Sequence, residues 1–386
     1  MKNFTTIVEF LNHHALESPE KIVFTWVDIT CKEQNKITFT QLEDQSNAVA
    51  ARLLKLGCKK GDRVMIAYPF GLEFLAGMFG AMKIGVIPCS IYPPNPNQLK
   101  TDMPKFRRLA EDAGAKYALS TSAFATAMTA ASILYKTGVS WIGTDKLSIK
   151  KSNPKKPKEY ETFVREPGGI QYTSGSTGCP KGVMISHNNL VEDIWAISRV
   201  LGTNAVGALW LPQYHDMGLV SGFMSAIYAG VHVIMASPID FIMRPLLWTD
   251  MVEIYQATHT SAPNFAYALL LKRLKQANRK ANWSHVTHAM FAAEPTQRHV
   301  VEELAQTLSI RREHVYNLYG WPRLLCFSQE DLPTRIPVGL FAVVQQTPHL
   351  SSFELSRMER RLKKGKLGPS GSSHLVWHLR TMASQS

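Results

Sequence analysis

Eleven consecutive residues concentrate the reactive chemistry of this 386-residue chain: Tyr172-Thr-Ser-Gly-Ser-Thr-Gly-Cys-Pro-Lys-Gly182. Five hydroxyls (Tyr172, Thr173, Ser174, Ser176, Thr177) are interspersed with Gly175, Gly178 and Gly182, and Lys181 adds one positive charge. Glycines let successive backbone N–H groups turn toward one point, which makes a concavity suited to a polyanion. A lysine beside it acts as a point charge on phosphate. Two other sites are excluded by spacing. Five residues on from Gly175 stands Pro180, and Lys181 is followed by glycine, so the loop is not a P-loop. Ser174 occupies the place where a nucleophile elbow needs its first glycine. Gly182-Val-Met-Ile reads as a strand, and Asn189 with Glu192 as a capping pair opening the next helix. The loop is therefore expected in a strand–loop–strand hairpin.

This stretch resembles the signature of the adenylate-forming superfamily, which includes acyl- and aryl-CoA synthetases, luciferases and peptide-synthetase adenylation domains. The resemblance implies ATP with Mg²⁺, and a carboxylate that attacks the α-phosphorus to give an acyl-adenylate and pyrophosphate. On that reading Thr173, Ser174, Gly175, Ser176, Thr177, Gly178 and Lys181 hold the triphosphate, with Thr173 also at the metal. Trp210-Leu-Pro-Gln-Tyr-His-Asp-Met-Gly-Leu219 resembles the segment beside the carboxylate pocket. It implies a catalytic role for His215 and acyl contacts for Asp216 and Met217. Ser261-Ala-Pro-Asn-Phe-Ala-Tyr267 resembles the helix start that lines the acyl tunnel, which implies acyl contacts for Pro263, Asn264, Phe265 and Tyr267. Phe291-Ala-Ala-Glu-Pro295 resembles the turn that meets adenine through Ala293, Glu294 and Pro295, with Ala292 where glycine is usual. Tyr319-Gly320 resembles the element whose tyrosine stacks on adenine.

Ile91-Tyr-Pro-Pro-Asn-Pro96, taken with the two segments at 214–219 and 262–267, narrows the resemblance to the fatty acyl-AMP ligases. These pass a fatty acid to the phosphopantetheine arm of an acyl carrier protein or a polyketide or peptide synthase carrier domain. A fatty acyl-CoA synthetase, with CoA as acceptor, is the alternative. His285 and His288 form a bare H-x-x-H without acidic companions and read as surface residues.

The elements that must position these groups alternate in type. Phe4–Leu16 has amphipathic helical spacing. Thr40 and Glu43 read as a capping box, with Leu42, Val49, Leu53 and Leu56 on one helical face and Gly57 as the stop. Asp62–Tyr68, Val86–Tyr92 and Tyr117–Ser120 read as strands, separated by helices over Gly71–Ile84 and Pro104–Ala113. Strands alternating with helices predict an α/β fold with mainly parallel sheets flanked by helices. A first lobe is expected over 1–145, a Lys/Pro-rich linker over 146–166, and a second lobe carrying the loop over 167–320. Leu219–Ser237 is long and uncharged enough to mimic a membrane span, but Gly230 and His232 divide it into a buried helix and a strand.

Composition narrows the partners. The net charge of +13 has no basic helix or aromatic-interleaved basic stripe behind it, so nucleic acid is not expected. Five cysteines at 31, 58, 89, 179 and 326 form no C-x-x-C pair, and the odd number predicts reduced thiols and a cytoplasmic location. The N-terminus lacks a signal-peptide pattern.

The likeness ends at Gly320. The family continues Leu-Ala-Glu-Ala-Thr-Leu-Leu, whereas this chain reads Trp321-Pro-Arg-Leu-Leu-Cys-Phe-Ser-Gln329. Codons that encode the second string, read one base out of frame, translate as Leu-Ala-Glu-Ala-Thr-Leu-Leu-Phe-Thr. A single-base deletion after codon 320 accounts for both. The tail over 321–386 is then expected to be out of frame and unstructured. The resemblance places the Mg²⁺-binding glutamate where Arg323 stands, and implies loss of the ribose-holding aspartate and of the small C-terminal domain with its catalytic lysine. The chain as given is thus expected to be incomplete and inactive. Sequencing the gene across codons 318–330 decides the frame, and DNA with no such continuation one base away would rule out the deletion.

Overall fold

The computed structural model describes residues 4–147, 167–173, 181–201, 204–292, 298–320 and 341–345. In chain order the strands are β1 (Ile22–Val27), β2 (Glu33–Thr38), β3 (Arg63–Ile66), β4 (Ile87–Ser90), β5 (Tyr117–Ser120), β6 (Ser140–Gly143) and β7 (Pro167–Thr173). They continue as β8 (Lys181–Ser186), β9 (Val206–Leu209), β10 (His232–Met235), β11 (His259–Pro263), β12 (His288–Ala292), β13 (Val315–Gly320) and β14 (Phe341–Gln345).

Two sheets result. One runs β14-β13-β12-β11-β9-β10-β1-β2, parallel from β13 to β1 with antiparallel edges. The other runs β6-β5-β3-β4-β7-β8, with only β8 antiparallel. The expected α/β class with mainly parallel sheets is what the chain forms. The expected lobes are not the sheets, however. β1 and β2 leave the first 145 residues to join the sheet of β9–β14, and β7 and β8 join the sheet of β3–β6. Parallel strands buried on both faces need helices on each side, so neither half covers its sheet alone. The linker over 146–166 falls mostly outside the described residues.

Helices form the remaining layers. Leu99–Ala113 and Ser122–Leu134 cover the outer face of the six-stranded sheet, packing Phe106, Ala110 and Met128 over Met65 and Cys89. Phe39–Lys55, Glu73–Met82 and His187–Leu201 lie between the sheets, together with a π-helix over Met217–Met224 that runs on as an α-helix to Ala229. Leu246–Ile254, Asn264–Gln276 and Arg298–Leu308 cover the far face of the eight-stranded sheet.

Local signals shift two helix starts. The capping box before the 39–55 helix is Thr38 with Gln41, not Thr40 with Glu43, because Thr38 holds the extended backbone an N-cap requires. Before 187–201 it is Ser186 with Asn189, not Asn189 with Glu192: Ser186 Oγ accepts from Asn189 N–H, and Asn189 Oδ1 accepts from Ser186 N–H. The apolar run 219–237 is divided as expected by Gly230, whose φ of +65° suits a residue without Cβ. Among the described residues no helix is long and apolar enough to cross a membrane. Cys31, Cys58 and Cys89 are free and buried. In the tail, the described segment 341–345 pairs antiparallel with β13, so the expectation of an unstructured tail does not extend to it. Phe-Ala-Val-Val-Gln is β-prone by composition.

Glu43, released from capping, meets Lys83 at 2.7 Å in a pair whose side chains are 12% and 8% exposed. Lys83 also donates to Asn12 Oδ1 at 3.0 Å, so the contact ties three helical segments together. Removing one partner of a buried pair leaves an uncompensated charge. Lys83→Met should lower unfolding stability by about 3–5 kcal/mol in denaturant titration. Adding Glu43→Leu should restore most of it, and a double variant as weak as the single would refute the pairing as the cause.

Candidate active site at the carboxyl edge

In a parallel sheet all strand carboxyl ends lie on one edge, and ligands favour the crevice where successive crossovers leave on opposite faces. Here the chain after β9 returns through the 217–229 helix on one face, whereas the chain after β11 returns through the 264–276 helix on the other. The crevice between β9 and β11 is therefore bordered by residues 210–217 and by Pro263 and Asn264. The ends of β12 and β13 bring Ala292 and Tyr319-Gly320 to the same edge. Most motifs singled out by sequence thus converge.

The strands that flank the hydroxyl- and glycine-rich loop belong to the other sheet. β7 and β8 form the expected hairpin, closed by Thr173 opposite Lys181. Ser174, Gly175, Ser176, Thr177 and Gly178 lie outside the described residues, as do Ala293, Glu294 and Pro295. Tyr172 anchors the hairpin: its hydroxyl donates to Asp112 Oδ2 at 2.8 Å and approaches the Leu109 carbonyl at 3.2 Å. That hydroxyl is committed to the scaffold, and burial raises its pKa far above the ordinary tyrosine value.

Two buried amides join the halves. Gln171, on β7 two residues before Thr173, donates through Nε2 to the Tyr214 carbonyl at 3.4 Å. Gln213 donates to the Pro69 carbonyl at 2.9 Å and accepts from Gly71 N–H at 3.1 Å. Neither glutamine was singled out in the sequence, since an amide in a strand or loop has no periodic signature. Gly218 is required where the chain turns into the π-helix: a Cβ there would lie 2.2 Å from the Pro212 carbonyl oxygen.

His215 follows directly and is largely exposed, at 57% of its side chain. Its Nδ1 meets Asp216 Oδ1 at 2.5 Å, while Asp216, buried, accepts from Met217 N–H at 2.7 Å and caps the π-helix. The hydrogen bond to Asp216 raises the His215 pKa above the ordinary value, against the opposing effect of burial. An exposed imidazole whose pKa is raised in this way can donate to a carboxylate or phosphate oxygen.

Beneath the 217–229 helix lies a small cavity of about 30 Å³ against the eight-stranded sheet. Leu209, Gly207, Gly222, Ala226 and Val233 form its mainly apolar walls, with Ser261 and His259 contributed by β11. Of the residues expected to contact an acyl chain, Met217 opens this helix, and Pro263 and Asn264 stand at the crevice. Tyr267 does not line the cavity. It is fully buried on the opposite sheet face, stacked on Phe291 at 4.0 Å with its hydroxyl donating to the Met290 carbonyl at 3.1 Å. Ala266 is likewise core, and Phe265 is 45% exposed. Helical periodicity explains the miss, because the face that starts at the crevice turns into the core within one turn. The small residues that do shape the cavity become legible only when helix and strand are known to face each other. His288 is also not a surface residue. It is half-buried, stacks between His259 and Tyr316, and burial pushes its pKa down to about 4. His285 is partly buried as well, its Nε2 3.2 Å from the Val252 carbonyl.

Among the described residues no cluster of three or more His, Cys, Asp or Glu is arranged to hold a metal ion. By sequence, the residues joining β7 to β8 are hydroxyls and glycines followed by a lysine, a composition suited to a triphosphate with its accompanying cation.

The family model described as AMP-binding enzyme matches residues 11–322. The chain belongs to the AMP-binding enzyme family. JamA of Moorena producens, a medium-chain-fatty-acid–[acyl-carrier-protein] ligase, is 31% identical over 328 residues, covering 82% of this chain and 55% of its own length. FadD30 of Mycobacterium tuberculosis, described as "Probable long-chain-fatty-acid–AMP ligase", is 28% identical over 392 residues, covering 93% of this chain and 64% of its own. That match runs on past residue 322, where the family model ends, so the expectation that the likeness stops at Gly320 does not hold for it. The crystal structure of a fatty acyl-adenylate ligase from L. pneumophila, in complex with acyl adenylate and pyrophosphate, superposes with a TM-score of 0.76 at 29% identity. It covers 83% of this chain and 56% of that one. This AMP-binding chain therefore spans between about half and just under two thirds of the length of these relatives.

Asp216→Asn should return the His215 pKa toward the ordinary value of about 6.5 while keeping an oxygen for the helix cap. An NMR pH titration of the His215 ring should show the midpoint falling. An unchanged midpoint would mean that Asp216 does not set it.

Proposed function

We propose that this AMP-binding chain carries the large-domain apparatus for ATP-dependent activation of a fatty acid, of the fatty acyl-AMP ligase kind. The observation that carries this reading is the Gln171–Tyr214 contact, which sets the end of β7 against the segment that carries His215. A carboxylate head at the crevice between β9 and β11 fits that layout. The acid-ligase relatives support the choice of a fatty acid, and the carrier-protein ligase among them supports a phosphopantetheine thiol as acceptor. CoA remains the alternative acceptor, separated by comparing the binding of CoA and of a phosphopantetheinylated carrier protein.

In this reading a carboxylate oxygen attacks the α-phosphorus of ATP, the bond to the bridging oxygen breaks, and pyrophosphate leaves with the electron pair. Loop N–H groups, Thr173 and Lys181 bind the triphosphate. His215 donates to the carboxylate or to a phosphate oxygen as the two anions approach. Tyr319, Gly320 and residues 293–295 receive the adenine. Mg²⁺, held with Thr173, would neutralise charge on the phosphates.

Arg323 at the place of the metal-binding glutamate opposes this chemistry. Arginine has no lone pair to offer a cation and adds a like charge. We further propose that the chain binds its substrates yet adenylates poorly, because loss of a single well-placed electrostatic group typically lowers turnover by about 10²–10³-fold. Pyrophosphate release with ATP, Mg²⁺ and decanoic acid should be near background. Turnover at the rate of an intact ligase would refute this. Lys181→Ala should weaken ATP binding by about 1.5–3 kcal/mol, roughly 10- to 150-fold, in a calorimetric titration. Undiminished affinity would remove the loop as the phosphate site.

A further inference from the structure

Three aromatic rings meet beyond the strand ends where the two sheets come together. Phe70 follows β3 and Tyr92 follows β4, neighbouring parallel strands of the six-stranded sheet. Tyr214 follows β9 of the eight-stranded sheet and directly precedes His215. The Tyr214 ring packs edge-on with Tyr92 at 5.4 Å, with 78° between planes, and lies 6.0 Å from Phe70 at 33°. Both separations are within the range at which aromatic pairs attract. Tyr92 stands on a stiff mount. Pro93 and Pro94 follow it and are buried, and a residue before proline is restricted to extended backbone. On either side, Ile91 N–H donates to the Ile66 carbonyl at 3.2 Å and Asn95 N–H to Asp102 Oδ2 at 3.0 Å. Tyr92 is nonetheless 47% exposed, so this mount does not serve to bury it.

Tyr214 is the link to the site. Its carbonyl accepts from Gln171 Nε2 at 3.4 Å, and the next residue is closed into a turn by the His215 N–H donating to the Pro212 carbonyl at 3.1 Å. The placement of the imidazole therefore follows that of Tyr214. Resting on the reading of His215 as the group that meets a carboxylate or phosphate oxygen, we propose that Tyr92 is a positioning residue whose ring, packed on Tyr214, fixes where His215 is presented to the ligand. The Gln171 bond restrains the Tyr214 main chain, and the rings of Tyr92 and Phe70 restrain its side chain. Burial pushes the Tyr214 pKa up to about 12, so its phenol stays neutral and acts by placement, not by charge. The ring of Tyr92 carries the effect and its hydroxyl does not, because an edge-on contact draws on the ring quadrupole.

The test is a double-mutant cycle on binding of a non-reactive analogue, decanoic acid joined to adenosine through a sulfamate, to the 386-residue chain. Losing the Tyr92 ring lets the His215 segment adopt other placements, and apparent affinity falls with the competent fraction. Tyr92→Ala should weaken the analogue about threefold to tenfold, the range that one aromatic pair supplies. Tyr92→Leu, which keeps apolar bulk without a ring, should do the same and replaces Tyr92→Ala if that variant folds poorly. Tyr92→Phe should bind as the native chain does. In a His215→Ala background, Tyr92→Ala should cost nothing further, a non-additivity that a merely structural role would not produce. Undiminished affinity in Tyr92→Ala and Tyr92→Leu would overturn the proposal. So would a Tyr92→Phe loss equal to that of Tyr92→Ala, or the same loss with and without His215. If His215→Ala alone binds the analogue as tightly as the native chain, the reading of His215 at the ligand fails, and the positioning role fails with it.

Discussion

Side-chain amides reaching across to backbone groups of the other half join the two sheets at the site. Gln213 spends its side chain on the backbone around Pro69 and Gly71, at the end of β3. Gln171 reaches from β7 to the Tyr214 carbonyl. One sheet supplies the hairpin with its hydroxyls and lysine, and the other supplies His215 and the crevice. Such directional bonds fix distance more sharply than apolar packing does.

Strand exchange reinforces the same geometry. Because β1 and β2 complete one sheet and β7 and β8 the other, neither sheet is a contiguous stretch of chain. The helices between them bury a continuous apolar cluster that draws on both. The π-helix over 217–224 belongs to this middle layer, and it begins at the Asp216 cap that also polarises His215. One carboxylate thus serves both local folding and local electrostatics.

Much of this was legible in the sequence where the signal is local. The hairpin followed from a glycine-rich turn before a β-branched run, and the α/β class from alternating strands and helices. The convergence of segments 210–217, 263–264 and 319–320 followed from their likeness to a known family. What the sequence hid is set by tertiary contact. The choice of Thr38 over Thr40 as a cap depends on which residue is extended. Tyr267 in the core and Ser261 in the cavity wall differ only in the way their elements face. His288 read as solvent-exposed because nothing local announces a stack between His259 and Tyr316.

The central claim is that nucleotide and acyl chain occupy adjoining positions at one sheet edge. A non-reactive bisubstrate analogue, a medium-chain acyl group joined to adenosine through a sulfamate, measures this without requiring turnover. Linking two ligands that fill adjacent sites makes the second contact effectively intramolecular and raises affinity by about 10²–10⁴-fold. The analogue should bind this chain at least about 100-fold more tightly than AMP. An analogue no tighter than AMP would show that the two sites are not joined, and would contradict the account.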